Sequence, residues 1–267
     1  MDYQSILYSR EGAVAVITLN EPHTLNALSP VLGAEIRDAL ARVSNDKTVR
    51  ALVLTANGRL FSSGADLSQS SISSSDGSRG QVVAEGMRSR GNRMIAEMQQ
   101  LPVPVVVALN GPVVGGAVGL ALSGDLIVAA RSAYFYLPFT PKLGLVPDLG
   151  ASWFLQRRIG SSRALALTLM DERLSAEKAA QWGLIHACVD DASLQDEAMR
   201  LAQKLARLPA HGVIEARAAF AAAQRNDLHE QLEYEAQRQS ELLDLPTMDE
   251  GLTAFFEKRE PAFPGRE

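Results

Sequence analysis

Leu109-Asn110-Gly111-Pro112-Val113-Val114-Gly115-Gly116-Ala117-Val118-Gly119-Leu120-Ala121-Leu122-Ser123-Gly124-Asp125 is the stretch whose reading decides the fold. It follows the unbroken apolar run Val103-Pro104-Val105-Val106-Val107-Ala108, which reads as a strand buried on both faces. Asn110-Gly111-Pro112 is a turn signal, and Gly115-Gly116 leads into a small-residue segment of helical character. A strand that passes through a glycine pair into a helix start leaves unpaired backbone N–H groups pointing one way. Such donors suit an anionic group, either a bound phosphate or an oxyanion that develops during a reaction. The alternative is that the glycines serve packing alone, since Ala117, Gly119 and Ala121 would let another backbone come close.

Upstream, Val14 to Leu19 reads as a strand, and Asn20-Glu21-Pro22-His23 as the loop after it. Ser29-Pro30 is an N-cap followed by proline at the first helical position, and Leu32, Ile36, Leu40 and Val43 recur at helical spacing. Ala51 to Thr55 is a second buried strand. Strands alternating with helices imply right-handed βαβ units around a largely parallel sheet. After the second strand comes another glycine turn, Phe61-Ser62-Ser63-Gly64-Ala65-Asp66-Leu67. Ligands of such sheets bind at the carboxyl ends of strands, so two glycine turns can face one crevice. Ser68 to Gly80, rich in Ser, Gly and Asp, is a candidate lid or an inert surface loop. Gln81 to Gln100 resumes helical spacing, with Val83, Met87, Met94 and Met98 read as a core stripe.

Downstream, Leu126 to Ala130 is a short buried strand and Tyr134-Phe135-Tyr136 an edge or ligand-side strand. The turn Leu143-Gly144-Leu145-Val146-Pro147-Asp148-Leu149-Gly150 precedes a helix from Ala151 to Arg158. Beyond Gly160 the pattern is helical only. Ser161 opens a helix with apolar Leu165, Leu167 and Leu169, and Ser175 caps a short helix that ends at Gly183. Longer helical patterns cover 193–208, 213–224, 228–243 and 248–258. These divide the chain into an α/β core, residues 1–190, and a helical C-terminal region, residues 191–267.

With 267 residues and 46% hydrophobic content the chain can build a substantial core. Its 26 basic against 31 acidic side chains, a net charge of −5, give no footprint for nucleic acid. A single cysteine, Cys188, excludes an intrachain disulfide and points to a reducing compartment. Met1-Asp2-Tyr3-Gln4-Ser5 lacks the basic flank and apolar core of a signal peptide, and no apolar run is long enough for a membrane span. A cytoplasmic protein with neither nucleic-acid nor membrane partner is expected. His186 and Cys188, in an apolar run, read as core. No histidine has a carboxylate or Cys partner at ligand spacing, so no metal site is expected.

Three signatures stand in order: Phe61 to Leu67, Asn110-Gly111-Pro112-Val113-Val114-Gly115-Gly116-Ala117, and Gly144-Leu145-Val146-Pro147-Asp148-Leu149-Gly150. Together with Leu25-Asn26-Ala27-Leu28 and Phe255-Phe256-Glu257-Lys258-Arg259 they resemble the enoyl-CoA hydratase/isomerase (crotonase) superfamily, from Val14 to the end of the chain. The resemblance implies an α/β fold, a crotonase-like spiral of ββα turns with a helical C-terminal trimerisation region, assembled as a homotrimer or hexamer. It implies an acyl-CoA thioester substrate, with coenzyme A carried as part of the substrate and no other cofactor. By motif position the Ala65 and Gly116 amides form an oxyanion hole for the thioester oxygen. Ser63, Gly64, Asp66, Leu67 and Lys258 fall at CoA-binding positions of the family. As residues alone, Asp66 also reads as a helix cap and Lys258 as a solvated helix-end lysine.

Departures from the family pattern narrow the chemistry. Hydratases of the family carry a glutamate three residues after the second oxyanion glycine, where this chain has Gly119. Their second glutamate falls near Phe139-Thr140-Pro141, which holds no carboxylate. Water addition needs paired acid and base groups. Glu21 stands where the family often has a basic residue that contacts CoA phosphate. Asp148, followed by Ser152-Trp153, instead resembles the isomerases of phenylacetate degradation, which act on ring-epoxide or unsaturated CoA esters. There the aspartate would be the single base that shuttles a proton between carbons. The residues themselves also allow a turn aspartate capping the helix from Ala151. Hydrolysis, dehalogenation and acyl-CoA binding without catalysis are the competing readings.

Overall fold

The computed structural model describes residues 3–66 and 78–266. A hairpin, β1 (Ile6–Glu11) and β2 (Val14–Leu19), starts a sheet that continues with β3 (Ala51–Ala56), β4 (Val105–Leu109), β6 (Leu126–Ala130) and β9 (Ala187–Val189). In this sheet the hairpin pair is antiparallel, and β2, β3, β4, β6 and β9 run parallel. A second sheet has the order β5 (Val113–Val114), β7 (Tyr134–Tyr136), β8 (Leu174–Ser175). Isolated bridges Leu28–Ala65 and Ser62–Val113 belong to the same layer of turns. Each of β2, β3, β4 and β6 is thus followed by a segment of this layer and then by a helix, which is the expected ββα repeat.

The helices are α1 (Pro30–Asn45), α2 (Arg79–Gly86), α3 (Asn92–Gln99), α4 (Ala117–Leu122), α5 (Ala151–Leu169), α6 (Ala176–Gln181), α7 (Leu194–Leu205), α8 (Gly212–Ala223), α9 (Leu228–Leu243) and α10 (Pro246–Glu257). Ser29 caps α1 as its sequence indicated, its hydroxyl accepting from the Leu32 N–H at 3.1 Å. Alternation explains why the central strands are apolar throughout. Leu52, Leu54, Val105, Val107 and Ile127 face a core shared with α1, α3, α4 and α5. Ala51, Val53, Val106, Ala108 and Val128 face Leu194, Ala198, Leu201 and Ala202 of α7.

Four features differ from the sequence reading. Helix α2 begins at Arg79 with Ser78 as its cap, so the loop proposed as a lid ends earlier, and its residues 68–77 lie outside the described ones. The 81–100 stripe is interrupted by a wider π turn, Met87–Gly91, which rotates the helix face. Only Met94 and Met98 of that stripe are buried, while Val83 is exposed. Tyr134–Tyr136 is the central strand of the small sheet rather than an edge. Two short strands, β8 and β9, interrupt the region read as helical; β9 extends the large sheet and leaves His186 exposed and Cys188 half-buried. Both strands are too short to show periodicity in sequence. Gly160, at φ 76°, breaks α5 where the pattern breaks, and Leu165 and Leu169 are exposed on its second half.

Helices α8 to α10 bury little. Ala222 and Ala254 are their buried residues, whereas Phe220, Leu228, Leu232, Leu243, Phe255 and Phe256 are exposed. Helix α8 is fastened to the core by Arg217, whose Nε donates to Asp125 Oδ1 at 2.7 Å and whose other nitrogens reach the carbonyls of Leu101 and Val103.

Candidate active site

The first glycine turn is held by a buried asparagine. Asn26 accepts from the Glu21 N–H at 2.8 Å and donates to the carbonyls of Asn57 at 2.9 Å and Leu60 at 3.1 Å. Its own carbonyl accepts from the Ser62 hydroxyl at 2.7 Å. Leu25 and Asn26 both adopt left-handed backbone, at φ 59° and 52°, a conformation that Asn tolerates better than most residues. The Ser63 N–H donates to Leu25 and the Leu28 N–H to Gly64, so the turn is tied along its whole length. The sequence places Asn26 only in a motif likeness; its four partners are 5 to 36 residues away and leave no local signal.

That turn lies directly on the second. The Phe61 N–H donates to Pro112 and the Val114 N–H to Ser62, both at 3.1 Å. Gly64 has φ +85°, and a Cβ there would fall 2.6 Å from the Val114 carbonyl oxygen and 3.3 Å from the Gly116 nitrogen. Only glycine allows that approach. Gly64, which precedes Ala65 in the chain, is thereby set beside Gly116. Among the described residues neither the Ala65 nor the Gly116 N–H donates to a protein acceptor, whereas the neighbouring Gly115 N–H is taken by the Tyr136 carbonyl. Two glycine turns from different strands therefore pack directly against one another.

Asp148 closes the site. Its Oδ1 lies 2.8 Å, and its Cγ 3.6 Å, from where a Cβ on Gly116 would be. Among the described residues this buried Oδ1 has no hydrogen-bond partner. Burial pushes the Asp148 carboxyl up to about 6, only partly offset by its own backbone N–H. The helix-cap alternative does not hold: the N-cap of α5 is Gly150, at φ 80°, with no side-chain bond. A buried acceptor without a partner, its pKa raised, beside free N–H groups is an arrangement suited to moving protons.

Gly119 faces the same turn. A Cβ there would fall 2.2 Å from the Leu149 carbonyl oxygen and 2.8 Å from its carbon. The place of the hydratase glutamate is therefore filled by backbone, and a side chain at 119 has no room. At the second glutamate's place, Phe139 is buried with its ring 3.9 Å from a Cβ on Gly115, and the Thr140 hydroxyl donates to the Leu145 carbonyl at 2.9 Å.

The remaining sequence candidates divide between this site and other parts of the chain. Ser63 and Gly64 lie in the first turn and Asp66 at its end, half-buried; Leu67 lies outside the described residues. Lys258 ends α10 in left-handed conformation and is exposed. Among the described residues no group of three His, Cys, Asp or Glu side chains could hold a metal ion. No helix there is long and apolar enough to cross a membrane.

Residues 9–266 match the family model described as enoyl-CoA hydratase/isomerase. The chain is 38% identical to the 1,2-epoxyphenylacetyl-CoA isomerase of Escherichia coli, over 98% of each chain. It is also 38% identical, over the full length of both, to a Rhodobacter capsulatus protein named as a probable enoyl-CoA hydratase. The crystal structure of an enoyl-CoA hydratase subunit I from Geobacillus kaustophilus superposes with a TM-score of 0.89 at 34% identity, covering all of both chains.

Proposed function

Because the chain belongs to the enoyl-CoA hydratase/isomerase family, we propose that it is an acyl-CoA isomerase that shifts a double bond, or opens a ring epoxide, through an enolate, with Asp148 as its one base. The observation that carries this reading is the pairing of a buried Asp148 carboxylate, its Oδ1 without a partner among the described residues, against Gly116 with the closure of position 119 by Leu149. Two relatives of equal identity bear an isomerase and a hydratase name, so the site has to decide between them.

A double-bond shift needs one group that removes a proton and returns it elsewhere. Asp148 takes a proton from the carbon chain, and the electron pair moves onto the thioester oxygen to give an enolate. The Ala65 and Gly116 N–H groups bind that oxygen; one such donor is worth about 3–4 kcal/mol in other enzymes. The protonated Asp148 then gives its proton to the other carbon, and the double bond settles in its new place. Hydration would need a second acid or base, and positions 119 and 139–141 supply none.

As a base Asp148 must be ionised. With the carboxyl of the free enzyme raised to about 6, kcat/KM should fall as the pH drops through that value and level off above it. A rate that stays flat down to the ordinary carboxylate range would count against the reading.

The assembly that accompanies this function is a homotrimer, or a hexamer of two trimers. The exposed Phe220, Leu228, Leu232 and Phe255 of α8 to α10 support it, since one copy of the chain leaves them uncovered. Light scattering at micromolar concentration should give a multiple of three chains; a monomer would reject it.

A further inference from the structure

We propose that Leu149 is a positioning residue: seated among Gly91, Gly116 and Gly119, it holds the Asp148 carboxylate in place against Gly116. The inference rests on the reading of Asp148 as the base.

Three glycines, one in the π turn and two at the start of α4, lie against Leu149. A Cβ on Gly91, in the π turn, would fall 2.8 Å from Leu149 Cδ2. A Cβ on Gly116 would fall 3.1 Å from Leu149 Cδ1, and one on Gly119 would meet the Leu149 carbonyl oxygen at 2.2 Å and its Cβ at 3.0 Å. Leu149 therefore occupies a socket built from both sides, its side chain toward Gly91 and Gly116 and its backbone on α4.

The backbone agrees. Leu149 has φ 47°, a left-handed conformation that a non-glycine residue keeps only when its surroundings over-determine it. The π turn gives a reason for the interruption between α2 and α3, since it brings the bare Cα of Gly91 against the leucine. Above all, among the described residues no other side chain bonds the carboxylate. Asp148 Oδ1 has no hydrogen-bond partner among the described residues, and the one bond recorded to the carboxylate comes from its own backbone N–H. Its position is then set by the backbone at 148–149, which the socket fixes. A displacement of about 1 Å at a reacting group can cost on the order of 10²-fold in rate.

The test compares wild type with Leu149→Ala, Leu149→Met, Gly91→Ala and Asp148→Asn, using 3-hexenoyl-CoA as the probe and reading kcat and KM separately. Leu149→Ala should lower kcat by at least about tenfold with KM within about twofold, and Leu149→Met, which refills the socket, should recover most of the loss. Gly91→Ala presses on Leu149 from outside the turn and should lower kcat as well. Alanine favours helical backbone over glycine, so this variant stays informative if Leu149→Ala does not fold. Wild-type kcat in Gly91→Ala or in folded Leu149→Ala, with Asp148→Asn inactive, overturns the positioning role and leaves the base assignment standing. A raised KM at unchanged kcat overturns it likewise. An Asp148→Asn enzyme with wild-type kcat overturns both.

Discussion

Asp148→Asn is expected to lower isomerase turnover by roughly 10²–10⁴, the range a general base contributes, while fold and CoA-ester binding persist. The amide keeps the size of the carboxylate and so keeps the contact with Gly116. Stability gives a second, independent readout. The folded-state carboxyl is raised by burial to about 6 from 3.8, so between those values the folded protein binds a proton more tightly than the unfolded chain. This group's contribution to stability is therefore greatest at low pH and declines as the pH rises toward 6. Asparagine removes a buried charge, so the variant's melting temperature at pH 8 should equal or exceed that of wild type. A capping aspartate would give the opposite result, a less stable protein with its turnover nearly intact.

Gly119→Ala is expected to be among the most damaging single-methyl changes in the site. The added Cβ would stand 2.2 Å from a backbone oxygen, which cannot rotate away as a side-chain tip can. Overpacking of this kind costs about 1–3 kcal/mol, and relief requires the turn that carries Asp148 to move. Stability and turnover should therefore fall together. Gly119→Glu, which restores a hydratase carboxylate in sequence, should yield no hydratase activity for the same reason. Gly33→Ala in α1 is the control: nothing lies within 4 Å of its Cβ, and the change should stabilise by about 0.5–1 kcal/mol. Thermal melts and steady-state rates on the three variants check this. A Gly119→Ala protein as stable and active as wild type would mean that the turn is not rigid.

What the sequence made legible was local. Strand Val14–Leu19 and helix Leu228–Leu243 have the bounds their patterns indicated, and Ser29-Pro30 caps α1, because each signal sits within a few residues of its effect. The two glycine turns and Asp148 were also visible, as motifs. Their physical content was not, because it lies in contacts across the chain. Nothing near Asn26 announces that it ties Glu21, Asn57, Leu60 and Ser62 together. Gly119 reads as a missing glutamate, yet the space for that glutamate is gone, taken by a backbone carbonyl 30 residues later in the chain. The core stripe through Val83 and Met87 failed because a π turn adds a residue and rotates the face, and no residue type marks it. β9 was hidden because three residues cannot display alternation; its place is set by pairing with β6.

The most direct measurement is mass spectrometry of the products formed from an unsaturated acyl-CoA in deuterated water, with wild type and Asp148→Asn side by side. The expected result is a positional isomer from wild type with no added water, carrying at most deuterium exchanged through the base, with both isomer and deuterium formed roughly 10²–10⁴ more slowly by the variant. A water adduct from wild type, or isomerisation and exchange by Asp148→Asn at the wild-type rate, would contradict a single-base isomerase.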